Sequence, residues 1–342
     1  MKEQVTQIYK RKDEHLRICL EENVSSNISA GFETVRLKVN ALPELDFAQV
    51  DPSTELFGKK LSYPILISSM TGGSGKTKHF NKLFARTAAE FGIAMGVGSQ
   101  RAAIVHPELE DTYKIVRKEA PNALLFANLG VVQLNKGFGL SECQKAVDML
   151  QADGLYLHLN SLQEILQPEG DRDFSGLLEK IEHVIKGLSV PVLVKEVGCG
   201  ISQETAKQLI DIGVKGIDVA GAGGTSWAAV EMHRVKGPVR AKVCQTFIDW
   251  GIPTVDALKS ITSIEDLPVL ISSGGLRNGI DIAKSIALGA DLAGFAMKFI
   301  KAADLGERIL HDTIRQLVLE LKTTMFTTGA KNLSELKNKI EN

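Results

Sequence analysis

Eight times between residues 64 and 296 a short apolar run rich in β-branched residues ends in small polar residues and gives way to a stretch of helical periodicity. The runs occupy 64–69, 93–98, 123–128, 154–160, 191–196, 216–220, 268–273 and 291–296. Continuous hydrophobic strands alternating with helices indicate a parallel sheet covered on its outer face. Eight such units fit a closed (β/α)8 barrel, an α/β TIM barrel, better than an open doubly wound sheet, the second choice. Helix punctuation agrees: Ser202 opens a helix expected to end at Gly213, and Asn278 or Gly279 opens one ending near Gly289.

Three segments fall outside the alternation. Residues 1–60 form an N-terminal extension expected to pack on the barrel (61–330), beginning with a charged helix that runs to about Glu22. Between strands six and seven lies an insertion, 225–266, with Gly237-Pro238 and Gly251-Ile252-Pro253 turns. An excursion of that length reads as a lid or substrate loop. Residues 331–342 are a C-terminal tail, and neither they nor residues 41–58 carry a motif.

Composition removes several classes of function. Lys and Arg number 40 against 41 Asp and Glu, and only 24% of residues are charged, so a chain-wide nucleic-acid surface is excluded. Apolar runs such as 64–67 and 123–127 are far short of the ~20 residues a membrane span needs. The N-terminus, Lys2-Glu3-Gln4, has no apolar leader, so a cytoplasmic protein without a membrane partner is expected. Cys19, Cys143, Cys199 and Cys244 are widely spaced and form no CxxC pair, against a disulfide framework or zinc site. Cys199 reads as a small packing residue, since no His or Asp motif accompanies it.

In a barrel of this kind the chemistry sits at the C-terminal ends of the strands. Gly274-Gly275 after strand seven and Ala296-Met297 after strand eight put backbone N–H groups where a phosphate is held against a helix N-terminus, though glycines also serve tight turns. Lys195 ends strand five and points into the mouth, where a cation suits the anionic locus of a flavin; a surface ion pair is the plainer alternative. With Ser99 and Asn128 able to bond the ring or ribityl chain, a flavin mononucleotide across the mouth is expected. Lys12 and His15 share a helix face with Arg11 beside them, and with Arg101 they suit a diphosphate, although a charged helix start is often only a solvated face. His158, Asn160, Gln163 and Glu164 form the densest polar group. Glu164 is the Mg²⁺ candidate, because that ion takes one or two protein oxygens and completes its shell with phosphate and water.

These residues give the chain a resemblance to the type 2 isopentenyl-diphosphate isomerases, an FMN-dependent (β/α)8 family. It rests on 11–15 (RKDEH), 69–73 (SMTGG), 98–101 (GSQR), 158–160 (HLN) with Gln163-Glu164, 168–174 (PEGDRDF), 221–227 and 247–254. The resemblance implies FMN contacts at Ser68, Ser69, Met70, Thr71, Ser99, Asn128, Lys195, Thr225, Gly274, Gly275, Arg277, Ala296 and Met297. It implies substrate contacts at Arg11, Lys12, His15, Ser99, Gln100, Arg101 and Gln163, with Gln163, His158 and Asn160 nearest the chemistry and Mg²⁺ on Glu164. The implied reaction is a 1,3-allylic proton shift between isopentenyl and dimethylallyl diphosphate, in isoprenoid biosynthesis, with reduced flavin as acid-base group and NADPH only as its reductant. A homo-oligomer, tetramer or octamer, is implied too, and Trp227 and Trp250 are expected to close over the hydrocarbon. The alternative is an FMN-dependent 2-hydroxy-acid oxidase or dehydrogenase. That chemistry needs a His beside an Arg after strand six, where this chain has Gly223-Gly224-Thr225-Ser226-Trp227 and no His before His233.

Overall fold

The computed structural model describes residues 2–70, 72–73 and 75–341. All eight expected runs are strands of one closed, all-parallel barrel: β3 (Ile65–Ile67), β4 (Ala94–Gly96), β5 (Leu125–Gly130), β6 (Gly154–His158), β7 (Val192–Lys195), β8 (Gly216–Asp218), β9 (Val269–Ser273) and β10 (Leu292–Phe295). The strands run in sequence order around the barrel and β10 pairs with β3 to close it. Ser202 caps the helix Gln203–Asp211 by accepting from Thr205 N–H, and Asn278 caps Gly279–Ala287 through Asp281 N–H. Helices bury the outer face of the sheet in one continuous apolar layer.

The lumen is graded from apolar to polar. Its lower half holds Leu66, Ala94, Leu124, Phe126, Tyr156, Leu193, Ile271 and Leu292, sealed by Leu56 and Leu61. Those two sit on a hairpin, β1 (Thr54–Leu56) and β2 (Lys59–Leu61), which the sequence pattern did not disclose. Its turn residues Phe57 and Gly58 have φ of 50° and 73°, the mirror-image turn whose twist suits a tight hairpin. Phe57 meets Phe126 edge to face, with ring centroids 6.2 Å apart. Each such buried apolar side chain contributes about 1.5–3 kcal/mol, so the hairpin closes the bottom and chemistry is confined to the top.

Both termini are laced onto the barrel. The helix Lys2–Glu21 leads into a segment where Ser226 N–H donates to Val24 O and Ser26 N–H to Gly224 O, each at 2.8 Å. Residues 331–341 form a strap: Asn332 bridges to Asp51 and Ile340 to Leu37, with Leu333 and Leu336 buried. The insertion is shorter than its sequence suggests. Its helices Trp227–Met232 and Pro238–Thr246 stand outside the repeat. The third, Thr254–Ile261, buries Val255, Ala257, Leu258 and Ile261 against β9 and Gln203–Asp211, so it is the barrel's own sixth helix. Among the described residues no helix is long and apolar enough to cross a membrane.

Candidate active site

The strand ends open into a cavity of about 530 Å³ that spans the whole barrel mouth. On its floor, His158 Nδ1 lies 2.7 Å from Asn128 Oδ1. Burial, with Lys195 and Lys12 as neighbouring cations, pushes the imidazole down to about 3. The ring is therefore neutral: its Nδ1–H donates to Asn128 and Nε2 keeps a lone pair. Asn128 is held in turn by Gln100, whose Oε1 accepts Asn128 N–H at 2.9 Å while its Nε2 donates to Ala146 O at 2.8 Å. Gln100 thus departs from its expected substrate contact. It is fully buried, extends the β4–β5 ladder past the end of β4, and does not line the cavity.

One wall is shaped for a flavin phosphate and ribityl chain. Gly274 and Gly275 have φ of 99° and 80°; a Cβ on the first would strike Gly221 O and one on the second would lie 2.6 Å from Gly223 O. Thr254, the last residue of the 247–254 motif, donates its Oγ1–H to Gly274 O at 2.6 Å and fixes this loop, a role its place in the motif did not disclose. The helix Met297–Asp304 begins here with no side-chain cap, leaving its positive end for an anion. Ser68, Ser69, Met70, Ser99, Thr225, Arg277, Ala296 and Lys195 line the same space. The hydroxyls of Ser68 and Ser69 are buried with no partner among the described residues, the state expected of groups that await a ligand. The residues fit flavin mononucleotide. Thr71 lies outside the described residues.

Another part of the lining is cationic. Arg11, Lys12, His15 and Arg101 all line it. Burial and the neighbouring Arg101 depress Arg11, and burial beside Arg11 and Arg101 brings Lys12 down to about 7. Lys12 Nζ donates to Gly72 O at 2.5 Å, Ser99 O at 3.0 Å and Tyr113 Oη at 3.1 Å, so it ties the N-terminal helix to two barrel loops and acts on an anion through its charge. Tyr113, unforeseen in the sequence, completes this by donating to Ser99 O at 2.6 Å. His15 is likewise engaged, its Nε2 2.8 Å from Glu231 Oε1 and its ring edge-on to Trp227 at 5.1 Å. Glu231 is fully buried and also accepts from Arg234 at 2.7 Å, which reaches on to Glu14 and Glu169. No motif spacing announces Glu231 or Arg234; both come from the insertion, beyond the reach of local pattern.

The helix Ser161–Leu166 presents Gln163 and Glu164 to the same cavity beside Asn160. Asn160 Nδ2 donates to Glu164 Oε1 at 3.0 Å, and Glu164 Oε2 accepts from Gln167 Nε2 and Asp171 N–H, each at 2.7 Å. Asn160 Oδ1 is buried without a partner among the described residues. Among the described residues no group of three or more His, Cys, Asp or Glu gathers as an all-protein metal cage. A single carboxylate beside an open amide oxygen fits a Mg²⁺ shared with phosphate. Trp227 lines the cavity, but Trp250 is 63% exposed, packs edge-on to Phe247 and stays outside it, which corrects its expected covering role. Burial raises the Cys199 thiol to about 12, in keeping with a packing residue.

Comparison with known proteins agrees with this geometry. The family model for FMN-dependent dehydrogenase matches residues 15–113 and 144–342. The fold resembles that of a flavocytochrome B2 mutant (TM-score 0.72, 19% identity, 96% of this chain and 82% of that one). It also resembles a lactate oxidase of Pediococcus acidilactici (0.69, 19%, 98% and 92%). Barrel, glycine cradle and central lysine together define an FMN-binding (β/α)8 enzyme. Isopentenyl-diphosphate delta-isomerase of Nostoc sp. is 50% identical over 97% of this chain and 95% of that protein. The enzyme of that name from Rickettsia bellii is 48% identical over 96% of both. The chain belongs to the isopentenyl-diphosphate delta-isomerase family.

Proposed function

We propose that this protein interconverts isopentenyl diphosphate and dimethylallyl diphosphate by a 1,3-allylic proton shift. The observation that carries the reading is one cavity whose lining joins a flavin-shaped glycine cradle, a cationic cluster and a neutral His158. When bound and reduced, FMN supplies an anionic ring able to exchange a proton without net redox change. The chain's own residues do the rest. Arg11, Lys12 and Arg101 bind the diphosphate, and Glu164 with Asn160 holds Mg²⁺ against it. Gln163 orients the alkene from the helix that also carries Glu164, so substrate position and metal position are mechanically one. His158, held by Asn128, offers a neutral dipole that adds no competing charge beside a developing carbocation. Lys195 sits where an anionic ring needs a counter-charge, and Trp227 excludes water from the hydrocarbon.

The oxidase reading lacks its base. His233, the first histidine after β8, is exposed at the end of the helix Trp227–Met232 and lies outside the cavity. NADPH as reductant, a cytoplasmic location and a tetrameric or octameric assembly belong to the same proposal; sedimentation of the FMN-loaded protein tests the last. The decisive assay is anaerobic incubation with isopentenyl diphosphate, FMN, a reductant and Mg²⁺, followed by product analysis. Dimethylallyl diphosphate is expected. Its absence, with oxidation of lactate or mandelate under the same flavin loading, would overturn the proposal.

A further inference from the structure

Three polar side chains on adjacent strands share one level of the upper lumen. His158 is in register with Lys195 across β6 and β7, and Lys195 with Asp218 across β7 and β8. Lys195 is an ammonium only 6% exposed, and its Nζ donates to a neutral oxygen, Glu196 O, at 2.5 Å. A buried cation needs a counter-charge. Two carboxylates act on Lys195 through their charge, Glu196 and Asp218, and Glu196 spends its Oε2 on the N–H groups of Val197 and Gly198 at 2.7 Å each and of Cys199 besides. His158, on the other flank, is neutral, and Lys12 brings a second positive charge toward it from the N-terminal helix.

Asp218 remains. It is 0% exposed, and its Oδ1 accepts Ser273 Oγ–H at 2.5 Å and Ala220 N–H at 3.3 Å. Its Oδ2 has no partner among the described residues, and neither has the hydroxyl of Tyr156, also fully buried. Burying a carboxylate with one oxygen open costs stability that an apolar side chain at this position would not. Packing therefore does not account for it. Burial raises the Asp218 carboxyl above its ordinary range, with Lys195, the Ser273 hydroxyl and Ala220 N–H working against that rise, and Tyr156 is raised in turn by burial and by Asp218.

We infer that Asp218 is a positioning residue acting through Lys195: it holds the ammonium in the mouth, offsets its charge, and so sets how strongly the site prefers the reduced, anionic flavin over the oxidised one. The inference rests on the flavin lying across the mouth above Lys195. Removing the negative charge while keeping the shape, by Asp218→Asn, leaves the ammonium uncompensated. The ratio of reduced to oxidised FMN affinity should rise about tenfold, an upward shift of about 30 mV in the two-electron midpoint potential.

The test is the midpoint potential of the FMN-loaded protein, measured by reductive titration against a reference dye, in a cycle of Asp218→Asn and Lys195→Met. Lys195→Met alone should lower the potential, and Asp218→Asn should raise it only when Lys195 is present. Equal weakening of both flavin states, or the same rise in the Lys195→Met background, would overturn the inference and leave Asp218 structural. No change in Lys195→Met itself would instead overturn the placement of the flavin over Lys195. If Asp218→Asn fails to fold, Ser273→Ala removes the bond to Oδ1 and should move the potential the same way by a smaller amount; a fall or no change there counts against the inference.

Discussion

Lys12 makes the site's affinity for an anion depend on pH. Burial and the two arginines beside it bring its ammonium from 10.5 to about 7. That is about 5 kcal/mol of extra cost for carrying the charge in the folded, unliganded protein. The sign follows directly. Between about 7 and 10.5 the unfolded chain binds a proton that the folded chain does not, so Lys12's contribution to stability is least below pH 7 and rises through that window. Substrate binding runs the other way, because a diphosphate favours the charged form. A unit anion against an ammonium is worth about 4 kcal/mol at an effective dielectric of 20, enough to return the group to about pH 10 in the complex. Free-enzyme ionisations appear in kcat/KM and those of the complex in kcat. Thus kcat/KM for isopentenyl diphosphate should fall about tenfold per pH unit above pH 7, while kcat stays flat to about pH 9. Lys12→Arg keeps its charge at every working pH and should lose the limb, and it shares the substrate's own ionisation with wild type, so the difference isolates Lys12. Steady-state profiles from pH 6 to 9.5 decide it. Parallel profiles for wild type and Lys12→Arg would refute the assignment of that limb to Lys12.

Gly274→Ala should abolish FMN binding in a fluorescence titration, because the new Cβ meets Gly221 O and the residue sits at φ 99°. Glu164→Gln should retain FMN but need far more Mg²⁺ for half-maximal activity; unchanged Mg²⁺ dependence would remove Glu164 as the ligand. Arg101→Ala should raise KM for isopentenyl diphosphate more than it lowers kcat, since the diphosphate keeps its charge through the reaction and its clamp binds ground and transition states alike. Gln163→Ala should do the reverse, with kcat down by about a hundredfold for a misplacement of about 1 Å.

The barrel was legible because each strand is buried on both faces and reads as an unbroken apolar run; the residues at its ends followed from the fold's polarity. Direction was not legible. Gln100 sits among mouth residues in the sequence, yet its side chain turns into the wall to complete the β4–β5 ladder, which depends on where β4 stops. Trp250 fails for a related reason: an aromatic on an insertion can face the cavity or solvent, and here it faces solvent, edge-on to its near neighbour Phe247. The hairpin plug was hidden because Leu56 and Leu61 lie among polar neighbours, too few for a period-2 signal. Glu231, Arg234 and Tyr113 join the site through partners far along the chain, His15 to Glu231, Glu14 to Arg234 and Lys12 to Tyr113, separations of 216, 220 and 101 that no local motif encodes.

The central claim is that the mouth moves a proton and consumes no electrons. Its most direct measurement is the reaction in deuterated water, run anaerobically on the FMN-loaded, pre-reduced protein with Mg²⁺, and followed by product mass spectrometry and the flavin absorbance together. The account predicts dimethylallyl diphosphate carrying deuterium at its allylic carbons, formed over many turnovers with the flavin still reduced at the end. Unlabelled product, or one flavin oxidised for each product formed, would contradict it.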